Sequence, residues 1–517
     1  KKINLISGML IQKGNIMKKN KIKKFLNDYI KWTPSKMVIV ILLLLPILLN
    51  FNTKFKLNND FWFLINTGKY IINNGIPHIE PFTIHSNLLF VVQQWLTDII
   101  FYFIYSKFNI YGMYIFTIVM ELLIIYLMYK VCLLISNNKI KLAIIITVLI
   151  MLILNRDFIT TRPHLFDILF LTLELYLLEL YIKRNNKKYL IGLPLISLLM
   201  INLHSSIWPI LFVFLLPYYV GRINLKFTTK ENYKLRPIII VTIIMLIFGF
   251  INPYGIESMK YLFNSYGIDY LDKVVIEMSS PDIKQSLMLF VFIFIVYLSY
   301  YINRKDKINL RYLLLTLGTT YLTLEHNRGV MFLLIVSIIT LSDHLKQFFN
   351  KEVISKTTKK DNLIYIILLI FLSLIYLYNL DFETENKMFH SNIANYLDKN
   401  TSKDITIYTG YGEGSYYEYR GYKCYLDPRA EVFLKSNNKK EDILLEYYLL
   451  QHGVISYQDF IDKYNFDYIL VSDKDVIYYQ IIKDKAYEKV YEGTSIEDYN
   501  MLKKYKLNYR LYKKKEA

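Results

Sequence analysis

Long apolar runs recur along most of the chain and limit the structural class to which it can belong. Runs such as IIITVLIMLIL and IIIVTIIMLIFGFI offer no polar face to water, and 54% of the 517 residues are hydrophobic while 20% are charged. Apolar stretches of about 17–25 residues are typical of helices that cross a bilayer. The sequence therefore predicts a mainly α protein, built as a polytopic transmembrane helical bundle.

Eleven apolar windows predict the spans. They cover 37–52, 110–135, 140–155, 163–182, 189–203, 207–221, 236–252, 286–302, 309–324, 329–342 and 362–380. The segment 89–105 is ambiguous, because it is apolar but carries Gln93, Gln94 and Asp98. We interpret it as an amphipathic helix that lies along the membrane surface without crossing.

Basic loops decide the topology. The loops KKNKIKK, SNNKIK, KRNNKK and NRKDKINLR fall on one side only if 89–105 does not cross the membrane. Cytoplasmic loops carry an excess of Lys and Arg, so the N-terminus is predicted inside and the C-terminus outside the cell membrane. The formal net charge of +19 belongs largely to these loops, and no nucleic-acid partner is expected.

The same pattern divides the chain into three parts. Residues 1–36 form a basic cytoplasmic leader, and 37–380 form the transmembrane domain with a first external loop at 52–109. Residues 381–517 are predicted to form an extracytoplasmic α/β domain. In that domain DITIYT and FDYILVS indicate strands and KKEDILLEYYLL indicates a helix.

An acidic and aromatic stretch, NNDFWFLINTGKYIINNGIPHIEPFT, follows the first predicted span. Asp60 lies about where lipid phosphates lie, and Gly-Ile-Pro turns the chain back towards the membrane. A carboxylate there can accept a proton from a hydroxyl that attacks a lipid-anchored substrate. Asp before an apolar helix is also an ordinary N-terminal cap, so both interpretations of Asp60 stay open. His78 and Glu80 follow in the turn, where both can also be solvated.

Three short loops that are predicted to be external carry basic side chains, although Lys and Arg usually concentrate in cytoplasmic loops. Arg162 and His164 lie in NRDFITTRPHLF, His204 in INLHSSIW and Arg328 in TLEHNRGVMF. Guanidinium groups bind phosphate through paired hydrogen bonds, so these loops predict a site for an anionic ligand. Snorkelling of the same side chains to lipid phosphates is the alternative explanation.

Carboxylates inside the apolar windows favour a different function. Asp167 and Glu174 are seven residues apart and therefore lie on one face of a helix. Such groups can relay protons in an ion-coupled transporter or lipid flippase, or they can pair inside the bundle. A non-catalytic role in assembly of the cell envelope is a third alternative.

The order of these motifs resembles that of bacterial GT-C-type membrane glycosyltransferases, in an uncharacterised branch. NDFWFLINTGKYIINNGIPHIEPFT…QQWL is similar to their first external loop, where an acidic residue, a Gly-x-Pro turn and a Trp-Leu helix follow the first span. TRPHLF, NLHSS, NPYG…VIEMSSPD and YLDPRAEVF look like recurrent signatures of that branch. The resemblance runs from about Lys36 to the end of the chain.

The resemblance implies transfer of a sugar from a polyprenyl-phosphate donor to a glycan, lipid or protein acceptor outside the cytoplasm. Asp60 takes the position of the general base and Glu80 the second acidic position; a Mg²⁺ or Mn²⁺ ion held by Asp60 and Glu80 is compatible with the pattern. The positions expected to bind substrate or phosphate are His78, Arg162, His164, His204, Glu277 and Arg328.

Overall fold

The computed structural model describes residues 35–48, 59–284, 286–304, 306–351, 354, 358–379, 385, 389–500 and 503–515. Most of these residues are helical, and a five-stranded sheet lies near the C-terminus. This confirms the mainly α class. The predicted leader falls outside the described residues, apart from its last two positions.

The helices before residue 380 include one for each predicted apolar window. They are α1 (Lys36–Leu48), α2 (Asn59–Asn74), α3 (Trp95–Ile135), α4 (Ile140–Asp157), α5 (His164–Arg184), α6 (Gly192–Leu203), α7 (Trp208–Val220), α8 (Leu235–Phe248), α9 (Ile256–Phe263), α10 (Leu271–Val274), α11 (Leu287–Ile302), α12 (Leu310–Glu325), α13 (Gly329–Leu345) and α14 (Lys359–Asn379). Each predicted window coincides with one of them, and the boundaries differ by a few residues except in α3, which begins 15 residues before the window 110–135; α2, α9 and α10 match no window.

Two of the described helical segments are long and apolar enough to cross a membrane by length and composition, Trp95–Ile135 and Gly329–Phe348. Five shorter apolar helical stretches accompany them. These are Lys36–Leu48, Ser205–Val220, Leu235–Phe248, Leu287–Ile302 and Leu363–Leu374. The count of eleven spans therefore stays a prediction.

Helix α3 breaks at Asn109, where φ is 51° and ψ is −154°. A positive φ is uncommon outside glycine, and Asn is one of the residues that adopt it most readily. The break separates 95–108 from 110–135. The segment that the charge pattern predicts to lie outside the span is thus a separate piece of helix.

Helix α2 carries Asp60 in its first turn and packs closely on α3. Phe61, Trp62 and Ile65 of α2 are buried. The two helices approach so closely at Gly68 that a Cβ there would lie 2.1 Å from the backbone oxygen of Asp98. The position of Asp60 is therefore fixed by packing of the helix that follows it.

The C-terminal part (389–500 and 503–515) is a mixed sheet with helices. Its elements are α15 (Phe389–Asn400), β1 (Thr406–Tyr408), α16 (Gly414–Tyr419), β2 (Lys423–Cys424), α17 (Lys435–Asn438), α18 (Ile443–Gln451), α19 (Tyr457–Tyr464), β3 (Tyr468–Ser472), α20 (Tyr478–Ile481), β4 (Tyr487–Asn500) and β5 (Lys503–Lys514). The strand order is β2-β1-β3-β5-β4, in which β1 is parallel to β2 and β3, and β5 is antiparallel to β3 and β4. The two strands and the helix expected from the sequence are β1, β3 and α18.

The loop between α2 and α3 contacts the C-terminal part directly. Thr83 forms a parallel bridge with Cys424 of β2. The backbone N–H of Ile84 donates to the carbonyl of Cys424 at 3.0 Å. The C-terminal part is thereby held against the loop that follows the helix of Asp60.

Candidate active site

Two guanidinium groups and two carboxylates from four segments of the chain meet at one end of the helical bundle. Arg162 Nη2 contacts Asp60 Oδ2, and Arg162 Nη1 donates to Glu277 Oε1. Arg328 Nη2 lies 3.6 Å from Glu277 Oε2. We call Asp60, Arg162, Glu277 and Arg328 the charge network. Each of its side chains is between a fifth and a third exposed, so a ligand can reach them.

Backbone hydrogen bonds fix the two later members of the charge network. The N–H of Arg328 donates to the carbonyl of Glu277 at 3.2 Å, and the N–H of Asn327 donates to the carbonyl of Ser279 at 2.9 Å. The turn between α12 and α13 is therefore joined to the short 3₁₀ helix that carries Glu277. These backbone hydrogen bonds fix the positions of Arg328 and Glu277 relative to each other.

The partners in the charge network shift one another's pKa. Burial raises the pKa of Glu277, but the charges of Arg162 and Arg328 outweigh burial and hold that pKa well below its usual range. Burial lowers the pKa of Arg162, and the carboxylates of Asp60 and Glu277 more than offset it. Arg162 and Glu277 therefore stay charged at neutral pH.

Two histidines share a buried carboxylate next to the charge network. Nδ1 of His164 lies 3.1 Å and Nδ1 of His204 lies 2.6 Å from Asp167 Oδ2. Nε2 of His164 lies 3.9 Å from Glu277 Oε2, which connects the histidines to the network. The sequence predicts a role for both histidines but does not identify Asp167 as their partner. The spacing His-Leu-Phe-Asp, which puts the first His and the Asp on one helical face, is the signal that could have shown half of this contact.

Tyr411 brings the C-terminal part to the charge network. Burial raises the pKa of the Tyr411 hydroxyl well above its usual range, and the nearby negative charge of Asp60 raises it further. The hydroxyl donates to the carbonyl of Pro428 at 2.7 Å. Tyrosine is so abundant in the chain that a tyrosine at position 411 carries no functional signal in the sequence alone.

Glu80 has a different environment from the one expected of a second catalytic acid. Its Oε1 accepts from the N–H of Phe82 at 2.8 Å and from Arg429 at 2.9 Å, and its Oε2 accepts from the N–H and hydroxyl of Thr83 at 2.9 and 2.7 Å. These four bonds use the acceptor capacity of a carboxylate. The side chain is fully buried. This geometry corrects the expectation and gives Glu80 a structural role, in which it ties the first loop to the C-terminal part.

Two other expectations do not fit the geometry. His78 is exposed, and its ring packs against Tyr254 with ring centroids 5.2 Å apart, away from the contacts of the charge network described above. A Mg²⁺ or Mn²⁺ ion shared by Asp60 and Glu80 does not fit either, because both oxygens of Glu80 are occupied by Arg429, Phe82 and Thr83. Arg162 supplies the positive charge that faces Asp60 instead.

The comparisons with known proteins give a fold. No protein-family model and no curated protein sequence matches the chain. The crystal structure of the oligosaccharyltransferase of Archaeoglobus fulgidus tethered with an acceptor peptide aligns with a TM-score of 0.50 and 11% identity, over 84% of this chain and 68% of that one. A structure of the Archaeoglobus fulgidus oligosaccharyltransferase in complex with an inhibitory peptide and a dolichol-phosphate aligns with a TM-score of 0.48 and 12% identity, over the same shares.

The first of these alignments shows that the chain shares the fold of an archaeal oligosaccharyltransferase. Membership of the GT-C-type superfamily, which the sequence resembles, stays a prediction. The bacterial branch and the dependence on a polyprenyl phosphate stay predictions.

Proposed function

We propose that the protein is a membrane glycosyltransferase that moves a sugar from a polyprenyl-phosphate donor to an acceptor outside the cytoplasm. The observation that carries this proposal is the contact of Asp60 with Arg162, in a network that also holds Glu277 and Arg328. A carboxylate that can accept a proton thus lies beside guanidinium groups that can bind a phosphate. The shared fold is compatible with this class of reaction by analogy, and the proposal rests on the site.

The proposed reaction is a displacement at the anomeric carbon. The acceptor oxygen attacks that carbon and passes its proton to the carboxylate of Asp60. The bond from the anomeric carbon to the phosphate oxygen breaks, and the polyprenyl phosphate leaves as an anion. Arg162 and Arg328 stabilise the charge that develops on the phosphate.

The ion pair between Asp60 and Arg162 suggests how donor binding prepares the base. The phosphate of an arriving donor competes with Asp60 for the guanidinium of Arg162. One N–H group of that guanidinium then binds the phosphate instead of Asp60. Loss of that contact weakens the hold of Arg162 on Asp60, which then accepts the proton of the acceptor. Glu277 keeps Arg162 in place during the exchange, because it holds the other side of the fork.

The substitution Asp60→Asn tests the proposal. It keeps the shape of the side chain and removes its ability to accept the proton, so we expect no sugar transfer with unchanged membrane insertion. The measurement is mass spectrometry of polyprenyl-linked sugars in a strain that lacks the gene and carries either version. The donor should accumulate in the absence of the gene, fall with the wild type and stay high with Asp60→Asn.

Asp157→Asn is the matched control, because it makes the same change at the end of α4 on a carboxylate that is 61% exposed and pairs only loosely with Arg156, at 3.6 Å. It should behave like the wild type. Wild-type levels of product with Asp60→Asn would remove the proposed base.

The transporter alternative rests on the buried carboxylates of α5. Glu174 is fully buried and has no hydrogen-bond partner among the described residues, whereas Asp167 is bound by two histidines. A transporter should fail when Glu174 is changed to Gln and should tolerate Asp60→Asn. A transferase should show the reverse, and an assembly protein without catalytic activity should tolerate both changes.

A further inference from the structure

His164, Asp167 and His204 form a compact donor set that the proposed reaction does not use. His164 is the first residue of α5, Asp167 lies one turn further along it, and His204 directly follows α6. One ligand atom of each residue lies within 4.8 Å of those of the other two, and all three side chains are buried. We propose that these residues bind a divalent transition-metal ion. This inference goes beyond the proposed function and does not depend on the identity of the sugar donor.

The donor chemistry indicates which metals fit. Imidazole nitrogen suits zinc, iron, cobalt, nickel and copper, whereas magnesium and calcium prefer a set of oxygen ligands. Two histidines with one carboxylate, leaving a fourth position open, is the arrangement of zinc sites that also bind water or substrate. The set therefore favours an ion of the Zn²⁺ type.

The distances fit with a small adjustment. Zinc bonds of about 2.0–2.2 Å in a tetrahedron place neighbouring ligand atoms roughly 3.2–3.5 Å apart. The separation of 3.1 Å between His164 Nδ1 and Asp167 Oδ2 is close to that range. His204 Nδ1, at 2.6 Å from the same oxygen, would move outward by less than about 1 Å.

A second observation points to a missing partner at this position. The side chain of Asp167 is fully inaccessible to solvent, and its Oδ1 has no hydrogen-bond partner among the described residues. Buried carboxylate oxygens nearly always have partners. Hydrogen bonds from both imidazoles to Oδ2 account for the two short distances but leave Oδ1 unsatisfied. A metal ion that contacts both oxygens of the carboxylate would satisfy Oδ1 as well as Oδ2.

A third observation concerns the far side of one imidazole. Histidines that bind a metal through one nitrogen usually direct the other N–H to a carboxylate or carbonyl. If Nδ1 of His164 binds the metal, Nε2 lies 3.9 Å from Glu277 Oε2, which is longer than a hydrogen bond but leaves this carboxylate as the nearest anionic neighbour of that N–H. Glu277 would in this way link the metal to the charge network.

A divalent ion would change the net charge of the site and its neighbourhood. Asp60, Glu277 and Asp167 supply three negative charges against the two positive charges of Arg162 and Arg328. With neutral histidines these groups sum to −1, which is unfavourable for an anionic ligand. A divalent ion changes the sum to +1 and makes the neighbourhood attractive to a phosphate.

Cobalt binding tests the site. The full chain is purified in detergent without a polyhistidine tag, freed of metal by a chelator and titrated with CoCl₂. We expect about one Co²⁺ per chain, visible d–d absorption bands and a higher melting temperature. Asp167→Asn and His204→Gln should weaken Co²⁺ binding by more than the roughly 10–100-fold that loss of an outer-shell partner costs.

Two control variants make the result specific. His452→Gln removes an exposed histidine of the C-terminal part, whose Nδ1 contacts only the carbonyl of Tyr448 in the structure, and should bind Co²⁺ like the wild type. Asp60→Asn should also bind it normally. The proposal is overturned if the wild type shows neither bands nor stabilisation, or if His204→Gln and Asp167→Asn bind Co²⁺ as tightly as the wild type. Either result leaves the proposed sugar transfer to its own test.

Discussion

Exchange of Glu80 for Gln should loosen the contact between the first loop and the C-terminal part while leaving every member of the charge network in place. Each carboxylate oxygen of Glu80 accepts from two donors. A Gln side chain keeps one acceptor oxygen and places an NH₂ group at the other position. In either orientation the NH₂ group faces two donors, so one pair of hydrogen bonds is lost.

The magnitude follows from burial. Glu80 and Arg429 are both buried, and their atoms are 2.9 Å apart. Breaking a buried ion pair typically costs about 3–5 kcal/mol, because the remaining charge stays in the interior. Asp427 still pairs with Arg429, which places the expected cost at the lower end, about 3 kcal/mol. For a unit the size of the C-terminal part this corresponds to a fall in melting temperature of roughly 10 °C.

Scanning fluorimetry of the purified protein measures this fall, and limited proteolysis shows whether the C-terminal part is released first. Asp60→Asn is the matched comparison, since its partly exposed ion pair should change stability by about 1 kcal/mol or less. Below the melting temperature Glu80→Gln should still transfer sugar. A variant that melts like the wild type but has lost all activity would restore Glu80 to the catalytic role expected from the sequence.

Two further predictions concern the charge network and its support. Because the pKa of Glu277 is depressed in the folded protein, its contribution to stability is complete above its ordinary pKa of about 4.3 and is lost as the pH falls further. The difference in melting temperature between the wild type and Glu277→Gln should therefore be constant from about pH 8 to pH 6 and shrink in acid. Gly68→Ala should displace α2 from α3, because the new Cβ would lie 2.1 Å from a backbone oxygen. We expect a reduced yield of folded protein, measured by size-exclusion chromatography. The control Gly75→Ala lies in open space at a φ of 84° and should lower the stability by only about 1 kcal/mol.

The helices were predictable because apolar side chains form long continuous windows in the sequence. Windows such as 140–155 and 286–302 differ from the observed helices by only one or two residues. The long hairpin of β4 and β5 was not predicted. Its strands are rich in Lys, Glu and Tyr, as in KKYKLNYRLYKK, and few of their positions carry the aliphatic side chains that signal a strand.

The members of the charge network were predictable but their pairing was not. Arg162 and Arg328 were selected because they are basic residues in predicted external loops, Asp60 because it follows the first predicted span, and Glu277 through the resemblance. Arg162 and Glu277 are 115 positions apart in the chain, and no local pattern encodes a contact over that distance. Glu80 was misjudged for the same reason, because its partner Arg429 is 349 positions away.

Contacts within the charge network also constrain how the chain can cross a membrane. Asp60 and Arg162 touch, so an even number of crossings must separate them. The predicted spans between them are 110–135 and 140–155, which satisfies this condition. A separate crossing by 89–105 would make three and place the two residues on opposite sides.

The same parity holds at the later steps. Four predicted spans, α5 to α8, separate Arg162 from Glu277, and two, α11 and α12, separate Glu277 from Arg328. The topology was assigned from lysines and arginines in loops at the other end of these helices, which take no part in the charge network. The contacts of the charge network and the basic loops are thus both compatible with the predicted crossing pattern, in which 95–108, separated from the rest of α3 by the break at Asn109, does not cross on its own.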